Sequence, residues 1–451
     1  MPETKSSRKH IAVLAFPFGT HATPLLGFVR RISEAASDAK FSFFSTAQSN
    51  AVLLANRGEV ERVKFLDVDS GLPNGYVFNK SDPNAPVVYF LKATPGNFER
   101  AVEIVVAETG MEFSCFISDA FMWFAAEMAE KRRVPWIALW TSGPRSLLVH
   151  LHTDFLRERL GINGPGEQTL EFFPGLSEIR AMDLPEGLVS GPLDEGVPLL
   201  LHKMGQILPK AAAVAANSYE ELDLPDVNKL MKTRLPKFLN IGPFTLSSLL
   251  LPASDEYCCL EWLEKREKSS VAYISFGSVI QPPLPELTAL AEALEARKTP
   301  FLWSFRGNPT EQLPLGFLQR TSVYGKMVPW APQIKILQHS SVGVFVTHGG
   351  WNSILESIIG GVPMICRPFF GDQKLNERTL ETVWGIGLGI EGRKFTKDGT
   401  MKALEVVLCS EQGKIMREKI AVLKKLAFQA VESEGSSTAN FKAVMELITK
   451  T

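Results

Sequence analysis

Short unbroken apolar runs, each followed by a glycine- or proline-containing break and then a helical pattern, recur along the whole chain, and this alternation restricts the fold more than any other feature. Ile11 to Phe16 is one such run; Gly19 to Pro24 breaks it, and LLGFVRRISEAA follows with helical spacing. FSFFST at Phe41 to Thr46 is the next, and FSCFISD at Phe113 to Asp119 leads into FAAEMAEKR and the strand-like VPWIALW. Strands that alternate with helices predict a doubly wound parallel sheet, whose strands are buried on both faces and so read as continuous apolar runs. TLSSLLLPASDE, residues 245–256, has no period and reads as a linker. After it the alternation restarts with SVAYISFGS, a helix from Glu286 to Arg297, FLWSFR, VGVFVTHGG, a helix from Asn352, and VPMICRPF. The expected organisation is an N-terminal domain over 1–244, a linker over 245–256, a C-terminal domain over 257–430, and a segment over 431–451 that packs back on the N-terminal domain. Two such α/β domains facing each other across a cleft would bring the carboxyl ends of both sheets, where ligands bind, around one site.

The 451 residues carry 48 Lys+Arg against 49 Asp+Glu, a net charge of −1, with no basic run of five or more. General nucleic-acid or anionic-membrane binding is therefore not expected. At 45% hydrophobic and 22% charged residues the chain should fold compactly. Cys115, Cys258, Cys259, Cys366 and Cys409 are odd in number and lack CxxC spacing, which fits a reducing cytosol better than a disulfide framework. The opening SSRKHIAVLAFPF resembles a short signal peptide, yet Pro17 and Gly19 interrupt it and no small-residue cleavage site follows, so it reads as a first buried strand. No stretch reaches the roughly 18 to 20 apolar residues of a spanning helix, so any membrane contact is expected to be peripheral. The expected location is the cytoplasm, and the expected state a monomer.

GLGIEG at Gly387 to Gly392 matches GxGxxG, but RKFTKDG follows it where a helix should open, so a glycine-rich strand end is the better reading. GxSxG, HExxH and GxxxxGK[ST] are all absent, which removes the usual support for serine hydrolase, zincin and P-loop chemistry. The strongest signal is the 44-residue block WAPQIKILQHSSVGVFVTHGGWNSILESIIGGVPMICRPFFGDQ, Trp330 to Gln373. In it a strand, Val342 to Thr347, runs into His348-Gly349-Gly350 and then a helix opened by Asn352 and Ser353. Glycines let backbone approach a ligand, and a helix N-terminus offers N–H groups and a positive dipole end, so a phosphate or diphosphate site is expected with His348 as a further donor. Glu356, one turn along, could accept from two ribose hydroxyls. Each residue alone also fits an ordinary capped helix; the set does not.

The block resembles the donor-binding signature of the plant family 1 UDP-glycosyltransferases, which use a GT-B fold of two Rossmann-like domains. That resemblance implies that Trp330 stacks on uracil, the Ala331 main chain bonds its edge, and Gln333 and Glu356 hold the ribose. It implies that His348, Asn352, Ser353 and Ser278 hold the diphosphate, that Trp351, Asp372 and Gln373 bond the sugar hydroxyls, and that Thr141 lies near the sugar and Ser304 near the nucleotide. Glutamine at the position of Gln373 accompanies glucose in that family, where histidine often accompanies galactose. Position 349 is Gly where the family usually has Cys, and because that thiol is not a nucleophile little functional loss is expected. AFPFGTHATPLL, SDAFMWFAAEMA, LWTSGPRSLLVH and RPFFGDQ are most similar to the flavonoid 3-O-glucosyltransferases acting on flavonols and anthocyanidins.

Transfer from UDP-glucose needs a general base for the acceptor hydroxyl and an anion site for the leaving diphosphate. His21 follows the first strand and Asp119 ends another, so both could line one edge of a sheet. An imidazole, with an unperturbed pKa of ~6.5, can take a phenolic proton, and a carboxylate beside it stabilises the protonated ring. Taken alone His21 is a loop residue and Asp119 a helix cap; the resemblance makes them the catalytic pair. Phe18, Phe121, Phe124, Trp140 and Phe370 offer flat walls for an aromatic acceptor, and by resemblance Gly19, Asn84 and His150 sit beside its hydroxyls. The Trp330 to Gln373 block holds no DxD, the metal-binding carboxylate pair of the other main glycosyltransferase architecture, so the reaction is expected to be inverting, with no metal and no cofactor beyond the co-substrate UDP-glucose. A non-catalytic nucleotide-sugar-binding protein would not need both His21 and Asp119. An NAD-dependent oxidoreductase would need a valid fingerprint.

Overall fold

The computed structural model describes residues 9–77, 82, 85–161, 166–246 and 254–449. The chain divides into two compact units, one of residues 1–164, 186–251 and 430–451, the other of 165–185 and 252–429.

Unit 1 is built on seven strands, all pairing parallel: β1 (His10–Leu14), β2 (Lys40–Thr46), β3 (Val63–Val68), β4 (Cys115–Asp119), β5 (Trp136–Trp140), β6 (Ala213–Ala216) and β7 (Phe238–Asn240), in the order β3-β2-β1-β4-β5-β6-β7. The order reverses between β1 and β4, which pair directly from Ile11↔Cys115 to Leu14↔Ser118. Ligands bind such sheets at that reversal, beyond the carboxyl ends. β1 and β4 are buried on both faces, as their continuous apolar sequences predict. Helix Ala22–Ala35 closes one face through Leu25, Phe28, Val29 and Ile32. The last helix, Ser436–Thr449, adds Val444 and Ile448 to the same core. Asn440 bonds the Asn240 carbonyl at 3.0 Å, and the Arg31 guanidinium lies 3.9 Å from the Phe441 ring centre.

Unit 2 carries β8 (Val271–Ser275), β9 (Phe301–Ser304), β10 (Gly325–Val328), β11 (Val342–Thr347), β12 (Met364–Cys366) and β13 (Gly387–Gly389), parallel in the order β10-β9-β8-β11-β12-β13. The glycine-rich GLG is thus an edge strand, followed by a short turn of helix at Glu391–Arg393. Helices Leu284–Arg297 and Lys397–Cys409 pack their apolar faces on this sheet.

The expected boundary at residue 244 needs one correction, because residues 165–185 belong to unit 2. Buried ion pairs tie this segment to the rest of unit 2. Asp183 is fully buried and is bonded by Arg180 at 2.9 Å and by Arg393, while Arg378 donates to the Glu178 carbonyl at 2.9 Å. A buried carboxylate needs such partners, and two of its three neighbouring guanidiniums lie far along the chain, where no local pattern reveals them. Of the expected linker, residues 247–253 lie outside the described residues. The helix expected from Asn352 begins one residue earlier, as Trp351–Gly360 with Gly350 as its cap. Among the described residues no helix is long and apolar enough to cross a membrane, and the five cysteines are free thiols.

Candidate active site

In unit 1, the end of β1 and the end of β4 bring His21 and Asp119 together. His21 Nδ1 lies 2.9 Å from Asp119 Oδ2. A carboxylate only accepts, so Nδ1 carries the proton and, in the neutral ring, the lone pair is on Nε2. Asp119 is 1% exposed, and its other oxygen accepts from the Phe121 main-chain N–H at 2.9 Å, which fixes the carboxylate plane. His21 keeps 23% of its side chain exposed, so a substrate oxygen can reach it. Thr141, expected near the sugar, has its hydroxyl 3.1 Å from His21 Nδ1. Gly19 precedes the pair with φ +62°, a left-handed turn that favours glycine.

An aromatic wall surrounds the imidazole. Phe121 lies 4.5 Å from it and Phe16 5.2 Å, with Phe18 and Phe90 packed edge-on behind Phe16 at 5.3 and 5.8 Å. Trp140 extends the wall from Phe121 at 6.0 Å to His150 at 5.9 Å. Burial pushes His150 down to about 4, so it is neutral, and its Nδ1 is buried without a partner. An orphaned buried nitrogen is costly, and an acceptor hydroxyl would satisfy it. Phe124 is buried and packs on Phe98 and Trp123. Phe370 is 43% exposed but is carried by unit 2, and Asn84 lies outside the described residues.

In unit 2, the expected nucleotide residues gather at the carboxyl ends of β8, β9 and β11. Trp330, after β10, is 47% exposed, an unusual position for a large ring and one suited to stacking on a base. Ala331 beside it is buried. Gln333 Nε2 donates to Glu356 Oε2 at 2.6 Å and to Ser353 Oγ at 3.2 Å. His348 follows β11, and burial together with the nearby Arg306 charge pushes it down to about 4, leaving a neutral hydrogen-bonding ring beside the N-terminus of helix Trp351–Gly360. Glycines make the space: a Cβ on Gly350 would sit 2.4 Å from His348 Nε2, and one on Gly277 2.9 Å from its Cε1. Gly349 has φ +79°, and a Cβ there would come within 2.5 Å of Cys366 Sγ.

Asn352 and Ser353 occupy the first turn of that helix. The Trp351 side chain is buried against Trp384, so a contribution to sugar binding would come from its main chain. Ser278 is exposed in the loop after β8, and Ser304 ends β9. Asp372 caps helix Gln373–Arg378, where Asn376 bonds Asp372 Oδ2 at 3.1 Å and the Gly349 carbonyl at 3.0 Å. Gln373 accepts from the main-chain N–H groups of Phe369 and Phe370 at 2.8 and 3.3 Å. Its oxygen is therefore occupied, and only the amide N–H groups can address a sugar.

Arg306, Tyr273 and Asn376 carry no motif signal of their own. Arg306 donates to the carbonyls of Ser278 and of Ile280, the latter at 2.7 Å, and so shapes the loop that presents Ser278. Its position directly after FLWSF at the end of β9 is the only hint in the sequence. Among the described residues no group of three or more His, Cys, Asp or Glu side chains is placed to share a metal ion.

Known proteins share this architecture. The family model described as UDP-glucoronosyl and UDP-glucosyl transferase matches residues 48–427. A flavonoid 3-O-glucosyltransferase from Medicago truncatula is 49% identical over 98% of this chain and 97% of its own. An anthocyanidin 3-O-galactosyltransferase from Actinidia chinensis var. chinensis is 50% identical over 99% of this chain and 98% of its own. The crystal structure of a UDP-glucose: anthocyanidin 3-O-glucosyltransferase in complex with UDP superposes with a TM-score of 0.94 at 38% identity, covering 99% of this chain and 100% of that one.

Proposed function

The chain belongs to the UDP-glucoronosyl and UDP-glucosyl transferase family, and from that premise we propose that it transfers glucose from UDP-glucose to the 3-hydroxyl of a flavonol or anthocyanidin with inversion at the anomeric carbon. The observation that carries the chemistry is the His21–Asp119 contact at 2.9 Å, and the names of relatives 49% and 48% identical over nearly the whole chain support the acceptor class. Nε2 of His21 takes the acceptor proton as the phenolic oxygen attacks the anomeric carbon from the face opposite UDP. The bond from that carbon to the β-phosphate oxygen breaks, UDP leaves, and the α-linked donor becomes a β-glucoside. Asp119 stabilises the imidazolium that forms. The leaving diphosphate is stabilised by the helix N-terminus at Trp351 to Ser353, by neutral His348 and by the Ser278 loop.

The reading includes a monomer that uses no cofactor and a cytoplasmic location, the location supported by five free cysteines, among them the buried Cys115, whose thiol burial pushes up to about 12. It also includes metal independence, because main-chain and side-chain donors meet the diphosphate. Initial rates in millimolar chelator should match untreated enzyme, whereas loss restored by Mg²⁺ or Mn²⁺ would contradict this.

The function is tested by product mass spectrometry with an aglycone panel and UDP-glucose, UDP-galactose and UDP-glucuronate. Gln373 can only donate toward the sugar, so inverting one hydroxyl leaves that amide poorly paired. UDP-glucose should exceed UDP-galactose in kcat/KM by about tenfold. Equal or better efficiency with UDP-galactose would instead align this chain with the 50% identical galactosyltransferase.

A further inference from the structure

Tyr273 lies within β8, 1% exposed and stacked on Phe345 with ring centres 5.1 Å apart. Its hydroxyl donates to Gln333 Oε1 at 3.1 Å. The other end of that amide donates to Glu356 Oε2 and Ser353 Oγ at 2.6 and 3.2 Å. A carboxamide can sit in two orientations that exchange oxygen and nitrogen. The Glu356 carboxylate accepts only, so nitrogen must face it, and oxygen must then face Tyr273. Burial holds the phenol well above its usual range, which keeps it a neutral hydroxyl able to donate to that oxygen; the opposite orientation is unfavourable at the Glu356 end, where a carbonyl oxygen would face a carboxylate.

We infer that Tyr273 is a positioning residue for nucleotide recognition: it locks the Gln333 amide, which in turn holds the Glu356 carboxylate where the vicinal ribose hydroxyls are read. The inference rests on the donor-site reading above. Discrimination between ribose and 2′-deoxyribose in the donor thus depends on a hydroxyl that never touches the ligand. Without it the amide oxygen loses this donor and the amide is held chiefly from its nitrogen end, so the N–H that meets the carboxylate is less firmly placed.

The test uses the full chain as wild type, Tyr273→Phe, Gln333→Ala and the double variant, with UDP, UDP-glucose and its 2′-deoxyribose analogue as probes. Tyr273→Phe should raise KM for UDP-glucose about threefold to tenfold, the range for one lost hydrogen bond, with kcat within about twofold. KM for the 2′-deoxy donor should change less, so the preference for ribose shrinks. In the Gln333→Ala background, Tyr273→Phe should have no further effect. An equal KM rise for both donors, no rise at all, or an undiminished effect without Gln333 would each overturn the inference. Gln333→Ala alone must also weaken the ribose preference, and its failure to do so overturns the inference even if Tyr273→Phe does not fold. Wild-type binding of UDP, measured by calorimetry, separates the two levels: unaffected variants of a UDP-binding protein refute the role of Tyr273, whereas a wild type that ignores UDP refutes the donor site itself.

Discussion

His21→Ala is expected to lower turnover by about 10²- to 10⁴-fold, the range for loss of a general base, while UDP affinity stays within about twofold, since the donor residues belong to unit 2. Asp119→Asn should be nearly as damaging, for a reason visible only in the geometry. Asp119 uses one oxygen for His21 and the other for the Phe121 N–H. An asparagine has one oxygen; if the main-chain N–H holds it, the amide N–H₂ faces Nδ1 and drives the ring proton onto Nε2. The base is then present but in the wrong tautomer. Turnover within threefold of wild type in His21→Ala would remove the mechanism, and an Asp119→Asn variant of near-normal rate would remove the tautomer argument. Both variants need calorimetry with UDP beside the kinetics, so that a lost rate is not mistaken for lost folding.

Apigenin should be a far poorer substrate than kaempferol, by about 10²-fold or more at matched concentration, although the two differ by one hydroxyl. The aromatic wall of Phe16, Phe121 and Trp140 meets nearly the same flat surface in both, so binding survives. What the flavone lacks is the attacking oxygen beside His21, and placement of that oxygen contributes to the barrier rather than to affinity alone. Inhibition of kaempferol transfer by apigenin, with little apigenin glucoside formed, is the expected pattern. Equal turnover of the two would leave only sugar transfer to some small aromatic acceptor.

The parts of this molecule that could be read in advance are those whose signal is local. β1, β4 and β11 are continuous apolar runs, so their places in two parallel sheets followed from sequence, and with them the adjacency of His21 and Asp119 at the strand ends. The donor block was legible because His348, its flanking glycines and Glu356 lie within ten residues on one strand, turn and helix. Short or polar strands escaped: β3 reads VKFLDV, with the charged Lys64 and Asp67 inside it, and β10 is four residues long. Long-range electrostatics escaped too. Residues 165–185 return to unit 2, where Asp183 pairs with Arg393, 210 positions away, and no periodicity encodes that. At the site, orientation was the blind spot. Gln333, Gln373 and Trp351 were named from resemblance, but Tyr273, the Phe369 and Phe370 main chain, and Trp384 decide which atoms each can offer a ligand.

The central claim is that His21 activates one particular hydroxyl and that glucose arrives on it with inverted configuration. The product made from UDP-glucose and quercetin tests this most directly, because quercetin offers several phenolic hydroxyls of similar chemistry on one skeleton. NMR of the purified monoglucoside should show the sugar on the oxygen of carbon 3, with the large anomeric coupling of a β-linkage. A main product at the 7-hydroxyl, or an α-linkage at any position, would contradict the account.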